Sequence, residues 1–224
     1  MAVIFQSESG VTLVGGAGFA RPALTSALAL APDLVAADGG ANHLDALGYS
    51  PRAVIGDLDS IRPDLRESLG PRVHHIPEQD STDLDKCLRS ISAPFVLCVG
   101  FLGARLDHTV AALNSLARHG RARVLLLGDE DICALAPPDL HLSLPRGARV
   151  SLFPMGAVTG RSEGLEWPID GIGFAPHDRI GTSNRMASDV LRLRVSAPRM
   201  VLMLDRGTMP ALLDAILKTP DWQA

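Results

Sequence analysis

The chain has 224 residues, enough for one large or two modest domains with a sizeable core, and its composition (46% hydrophobic, 21% charged) is that of a globular protein. Its 21 Lys and Arg against 25 Asp and Glu give a formal net charge of −4 with no basic run, which leaves general nucleic-acid binding without electrostatic support. Cys87, Cys98 and Cys133 are scattered without metal-ligand spacing and read as reduced, buried thiols of a cytosolic protein. No basic-then-apolar leader and no apolar run of roughly 18 residues is visible, so neither secretion nor membrane spanning is expected.

In chain order, a strand is expected over residues 3–5 and a second over 11–14, running into Gly15-Gly16-Ala17-Gly18. This turn lacks the full Gly-x-Gly-x-x-Gly pattern and no Gly-Lys-Ser/Thr follows, which excludes a P-loop. A tight turn and a close backbone approach to a ligand both stay open. A helix over 22–31 ends before Pro32, and a strand over 34–37 delivers Asp38-Gly39-Gly40-Ala41-Asn42, with a further helix over 41–48. Asp38 reads equally as a turn residue or a ligand contact.

The strand over 53–55 opens at Gly56 into Asp57-Leu58-Asp59. Two carboxylates leave a buried strand at the edge where open parallel sheets bind ligands. In locally extended backbone they point the same way and suit a Mg²⁺ ion, which favours carboxylate and phosphate oxygens; capping of local amides is the plainer alternative.

A short helix over 63–68 and a strand over 73–76 lead to Glu78, Asp80, Asp83 and Asp85, four acids in one short stretch. Thr82 suits a helix cap, with Asp83 and Asp85 in the first turn near the exposed amides. Asp80 and Asp83, three apart, can share one side of that turn. Lys86 neutralises part of this field, approaches a phosphate, or forms a solvent-exposed salt bridge. The strand over 95–99 delivers Gly103-Ala104-Arg105-Leu106-Asp107-His108 and a helix through about 118. Arg105 has the planar fork suited to phosphate oxygens. Asp107, Val110 and Asn114 share a helical face, although Asp107 as a cap and His108 as a surface residue fit as well. With the strand over 124–127, the alternation of strands and helices across 1–135 predicts a mainly parallel α/β domain over residues 1–136.

Pro137-Pro138 marks a change of style. Beyond it come short expected strands over 141–144, 148–153, 165–167, 189–195 and 199–204, then a helix over 210–217. This predicts a β-rich domain over 140–224, a small sandwich. Trp167 can stack on a planar or cationic ring, and Ser183 and Asn184 can hydrogen-bond its edge. Trp167 as a core residue and the 181–185 segment as a hairpin turn are the alternatives.

These stretches, in this order, resemble the thiamine pyrophosphokinase family. The resemblance rests on Ala37-Asp38-Gly39-Gly40-Ala41-Asn42, Ile55-Gly56-Asp57-Leu58-Asp59-Ser60, Gln79-Asp80-Ser81-Thr82-Asp83, Gly103–His108, Ser151-Leu152-Phe153-Pro154, Gly164-Leu165-Glu166-Trp167-Pro168 and Gly181-Thr182-Ser183-Asn184. It implies an N-terminal α/β catalytic domain followed by a C-terminal β-sandwich, in a homodimer with active sites between subunits; composition adds the expectation of a cytoplasmic protein with no nucleic-acid or membrane partner. ATP and thiamine are the implied substrates, with Mg²⁺ assisting and thiamine diphosphate and AMP as products. By the same resemblance Asp57, Asp59 and Asp83 organise the metal, and Asp80, Arg105 and Asp107 join the phosphate side. Asp38 and Asn42 support the nucleotide pocket, where His108 and Asn114 are further candidates. Ser183 and Asn184, with Trp167, meet thiamine. Residue chemistry alone leaves open a Mg-dependent phosphotransferase or nucleotide hydrolase with another small substrate, or a non-catalytic nucleotide- or thiamine-binding module.

Overall fold

A computed structural model describes residues 3–103 and 105–222, so Ala104 of the Gly103–His108 motif lies outside the described residues. The chain divides into two compact units, one of residues 1–115 with 126–129 and the other of residues 116–125 with 130 onward. Among the described residues no helix is long and apolar enough to cross a membrane.

The first unit runs β1 (Phe5–Gln6), β2 (Val11–Val14), α1 (Arg21–Leu30), β3 (Asp33–Ala37), α2 (Gly40–Ala46), β4 (Ala53–Gly56), α3 (Pro63–Leu69) and β5 (Val73–His75). It continues through α4 (Asp83–Ser90), β6 (Ile91–Ser92), β7 (Val96–Val99) and α5 (Leu106–Arg118), after which comes β8 (Val124–Leu127). Five strands pair in the order β7-β2-β3-β4-β5, every pair parallel. Strands β2, β4 and β7 are buried along their whole length, as their unbroken apolar runs require when both faces are covered. Val14, Leu24, Ala36, Leu44, Val54 and Leu65 form one core cluster, with Phe19 and Tyr49 packed against it.

Local chemistry sets the helix limits. Proline stands in the first turn of α1 and α3, where a missing N–H costs nothing, and α3 ends at Gly70 with φ 52°. Thr82 caps α4, its hydroxyl accepting the Asp85 N–H at 3.2 Å, with Asp83 and Asp85 in the first turn. The helix expected over 41–48 spans Gly40–Ala46, and a Cβ at Gly40 would lie 2.1 Å from the Val14 carbonyl oxygen, so a side chain there would collide.

The second unit is antiparallel. Its elements are β9 (Asp131–Leu135), β10 (Asp139–Ser143), β11 (Arg149–Pro154), β12 (Val158–Glu163), β13 (Gly173–Phe174), β14 (Gly181–Arg185), β15 (Val190–Val195), β16 (Met200–Asp205) and α6 (Met209–Lys218). Strands pair in the orders β14-β11-β16-β9 and β10-β15-β12-β13. In β15 Leu191, Leu193 and Val195 are buried while Arg192 and Arg194 face out. Strands β9, β12, β13 and β14 were not expected from the sequence, since β12 and β14 carry mostly polar residues and β13 is two residues long. The strand expected over 165–167 reduces to one bridge, Leu165 to Met186.

Candidate active site

Because the five strands are parallel, β2, β3, β4 and β7 all exit at one edge, where glycines and aspartates follow them. Ala37 pairs with Ile55, so Asp38 and Asp57 emerge side by side. Gly56 permits this crowding: a Cβ there would lie 2.8 Å from the Asp38 Cβ and 3.1 Å from an Asp83 oxygen. The segment after Gly56 is not extended. Leu58 has φ 64° and is buried in the core, and around that left-handed residue Asp57 and Asp59 nevertheless converge.

Asp38 is 2% exposed, with φ 40°. Its two oxygens accept the backbone N–H groups of Ser60 (3.1 Å) and Ile61 (3.2 Å). Asn42 holds the same segment, donating to the Ser60 carbonyl at 2.8 Å and accepting the Arg62 N–H at 3.0 Å. The turn after β3 thereby fixes the loop that carries Asp57 and Asp59. Asp38, Asp57 and Asp59 each bring a carboxylate oxygen within 4.8 Å of the others.

A buried lysine completes the cluster. Lys86 is 1% exposed, and its ammonium donates to Asp57 Oδ2 at 2.8 Å and to Asp83 Oδ1 at 3.2 Å. Gln79 Nε2 also donates to Asp57 Oδ2, at 3.1 Å. The other oxygen, Asp57 Oδ1, is buried and has no hydrogen-bond partner among the described residues.

Burial is the largest influence on each of these groups. It pushes the Asp38 carboxyl up to about 6, with the Asp83 charge adding to the rise. Burial also raises Asp83, against the pull of Lys86. For Asp57 the hydrogen bonds from Lys86 and Gln79 overcome burial and hold the carboxyl below the usual range. Lys86 lies above the ordinary lysine value because Asp57 and Asp83 outweigh its burial.

The cluster opens into a cleft of about 690 Å³, a size suited to a small-molecule ligand. Gly16, Ala17 and Gly18 form part of its wall, where His43 Nε2 lies 3.0 Å from the Gly16 carbonyl. Arg105 and His108 stand on the α5 side. Arg105 is exposed and forks onto Asp107 at 2.5 and 3.1 Å, and that hydrogen bond draws the Asp107 carboxyl down to about 2.

Residues 25–126 match the family described as thiamin pyrophosphokinase, catalytic domain, a range that holds the whole acidic cluster. A thiamine pyrophosphokinase 1 of Oryza sativa subsp. japonica is 31% identical over 194 residues, covering 71% of this chain and 74% of the relative. The chain belongs to the thiamine pyrophosphokinase family. An Arabidopsis thaliana thiamine pyrophosphokinase 1 is 33% identical over 183 residues, covering 66% and 68%. In fold, the chain resembles a thiamin pyrophosphokinase from Candida albicans with a TM-score of 0.73 at 17% identity, covering 90% and 92% of the two chains. The yeast thiamin pyrophosphokinase gives a TM-score of 0.72 at 17% identity, covering 96% and 93%. The mixed α/β fold with large sheets is that of the thiamine pyrophosphokinases.

In this family member the cleft is lined by Asp38, Asn42, Asp57, Asp83, Arg105 and His108, while Asp59 joins through the carboxylate cluster. Asp38, not Asp83, stands with Asp57 and Asp59 in the closest carboxylate group; Asp83 lines the same cleft and binds Lys86. Asp80, Asp107 and Asn114 are exposed and do not line it. In the second unit, Asn184 is 6% exposed and engaged internally. Its Nδ2 donates to the Trp167 carbonyl at 2.7 Å, and its Oδ1 accepts the N–H groups of Arg185 at 2.8 Å and Trp167 at 3.3 Å. Trp167 is 53% exposed with the Arg185 guanidinium 5.5 Å from its ring, and Ser183 is exposed with φ 62°.

Sequence reasoning left Lys86, Gln79 and His43 outside the named site. For Lys86 the signal was its place three residues after Asp83, and for His43 its place beside Asn42. Both spacings occur on ordinary exposed helices, so neither was decisive.

Proposed function

We infer that this chain is a thiamine diphosphokinase, transferring the pyrophosphoryl group of ATP to the thiamine hydroxyl to give thiamine diphosphate and AMP. The observation that carries the chemistry is the convergence of Asp38, Asp57 and Asp59 at the strand exits, with Asp57 Oδ1 buried and unpartnered. A buried carboxylate oxygen without a donor is what a hard cation with oxygen ligands would satisfy, so these residues fit Mg²⁺. Asp57 and Asp59 would hold it, with Asp38 or Asp83 beside them. When bound, Mg²⁺ neutralises triphosphate charge and aligns the β-phosphorus for in-line attack.

The chain's own groups do the rest. Asp38 and Asn42 fix the loop that carries the ligand carboxylates, so the site meets its substrate already organised. Arg105 lines the cleft with a guanidinium able to leave Asp107 for phosphate oxygens, whose greater charge is the better partner. Asp80, Asp107, His108 and Asn114 belong to the nucleotide side of this reading. In the second unit, read as a β-sandwich and thiamine-binding domain, Trp167 offers an exposed indole for the cationic thiazolium ring, Ser183 supplies a polar contact beside it, and Asn184 holds the Trp167 backbone in place. The reading extends to a cytoplasmic homodimer whose active sites lie between subunits.

The test is product analysis. Purified protein with ATP, Mg²⁺ and thiamine should form AMP one-for-one with thiamine diphosphate. Formation of ADP with thiamine monophosphate would overturn pyrophosphoryl transfer.

A further inference from the structure

Lys86 has no part in the chemistry described so far, yet it is the most deeply buried charge beside the cluster. An ammonium so enclosed is costly unless paired, and it is paired twice, with Asp57 and with Asp83. It also lines the cleft into which the acidic cluster opens. Asp57 is therefore divided between two roles: Oδ2 receives Lys86 and Gln79, and Oδ1 is left for another partner.

We propose that Lys86 is the resident counter-cation of the acidic cluster, weakening divalent-cation binding in the nucleotide-free protein so that the cation enters together with the triphosphate. The inference rests on the cation reading of this site. A divalent ion at Asp57 Oδ1 and the ammonium at Oδ2 share one carboxylate and repel each other. With only carboxylates present, the lysine already satisfies much of the negative field and the incoming ion gains correspondingly less. A triphosphate reverses the balance, because its oxygens attract both positive charges at once. Lys86 thereby acts as a positioning residue, holding Asp57 in the orientation that presents Oδ1.

Mn²⁺ serves as the probe, with free ion counted by electron paramagnetic resonance on the full-length chain, first alone and then with a nonhydrolysable ATP analogue. Without nucleotide, Lys86→Met should bind Mn²⁺ at least about tenfold more tightly than the parent, the scale of repulsion across one shared carboxylate even in a water-like dielectric. Lys86→Arg, which keeps the charge, should stay within about threefold. With the analogue present the advantage of Lys86→Met should shrink. A folded Lys86→Met protein, judged by far-ultraviolet circular dichroism, that binds Mn²⁺ no more tightly than the parent overturns the proposal. If Lys86→Met and Lys86→Gln both unfold in metal-free buffer, millimolar Mn²⁺ should restore them by supplying the missing positive charge, and failure to do so overturns it equally. A parent protein that binds Mn²⁺ with the analogue but shows no variant effect defeats only the role of Lys86. A parent that binds no Mn²⁺ under either condition defeats the cation reading itself.

Discussion

Two buried polar constellations, one in each unit, look alike in the sequence and differ in what they leave over. Around Asn184 every side-chain atom is matched: the amide grips Trp167 and Arg185 through three hydrogen bonds. Around Asp57 the matching stops one oxygen short, and of the four carboxylates gathered there Asp57 and Asp83 pair with the one lysine. A polar group satisfied from within is architecture, because burial without partners would cost stability. A group kept buried and unmatched holds its place only because the surrounding fold over-determines it, which marks it for an external partner. By this contrast Asn184 is engaged within its own unit with Trp167 and Arg185, and on the proposed function it is Asp57 that meets the reaction directly.

The sharpest break of the contrast is Asp57→Asn. It removes the unmatched oxygen's charge and one anchor of Lys86, and turnover should fall by at least about 100-fold, the scale of losing a preorganised electrostatic group. The protein should stay folded, because Asp83 retains the lysine. Steady-state assay of AMP release alongside circular dichroism checks both halves. Near-parental turnover in a folded variant would remove Asp57 from the chemistry.

Gly40→Ala tests the scaffold beneath the same site. A methyl at this position meets the Val14 carbonyl, which is held in the parallel sheet and cannot yield cheaply. The expected loss is roughly 1–3 kcal/mol, the usual range for overpacking, read as a lower denaturant midpoint. Unchanged stability would mean that α2 can slide without cost.

How far the sequence reveals these features depends on which physics they use. The strand exits are legible because apolar runs and alternating helices imply a parallel sheet, and such sheets expose their ligand edge at the carboxyl ends. Thr82 is legible as a cap because its hydroxyl acts locally. The burial of Lys86 is not, since the same spacing to Asp83 serves an exposed salt bridge. It takes the long-range contact with Asp57 to distinguish the two. The left-handed residue at Leu58 is equally silent, as leucine carries no preference for that conformation. Strand β14 reads as a turn because, of Gly181–Arg185, only Asn184 is buried and no apolar alternation betrays the pairing with β11.

Asn184→Ala is the counterpart in the second unit. It orphans the backbone of Trp167 and Arg185 and should cost roughly 1–3 kcal/mol in stability, with Mn²⁺ binding untouched. If stability were unaffected while thiamine binding collapsed, Asn184 would be a direct contact and the contrast with Asp57 would fail.

The smallest effect expected is also the most diagnostic of the loop that feeds α4. Glu78 Oε2 accepts the N–H groups of Asp80 (2.8 Å) and Ser81 (3.1 Å), while Oε1 receives the Ser81 hydroxyl and the Arg89 guanidinium. These bonds, that from the Ser81 hydroxyl foremost, draw the Glu78 carboxyl from 4.5 down to about 2. A carboxylate depressed by folding contributes stability that is fully present above its unfolded value and disappears as pH falls through its folded one. The contribution should therefore be intact at neutral pH and fade between about pH 4.5 and pH 2. Glu78→Gln should melt below the parent at pH 7, and the difference should close as the pH approaches 2. Taking the difference between the two proteins removes the titration of Asp38 and its neighbours, which both share. A melting gap that stayed constant from pH 7 to pH 2 would show that the carboxylate charge does not organise this loop, and Gln79 and Thr82 would then owe their places in the cleft wall to the helix cap alone.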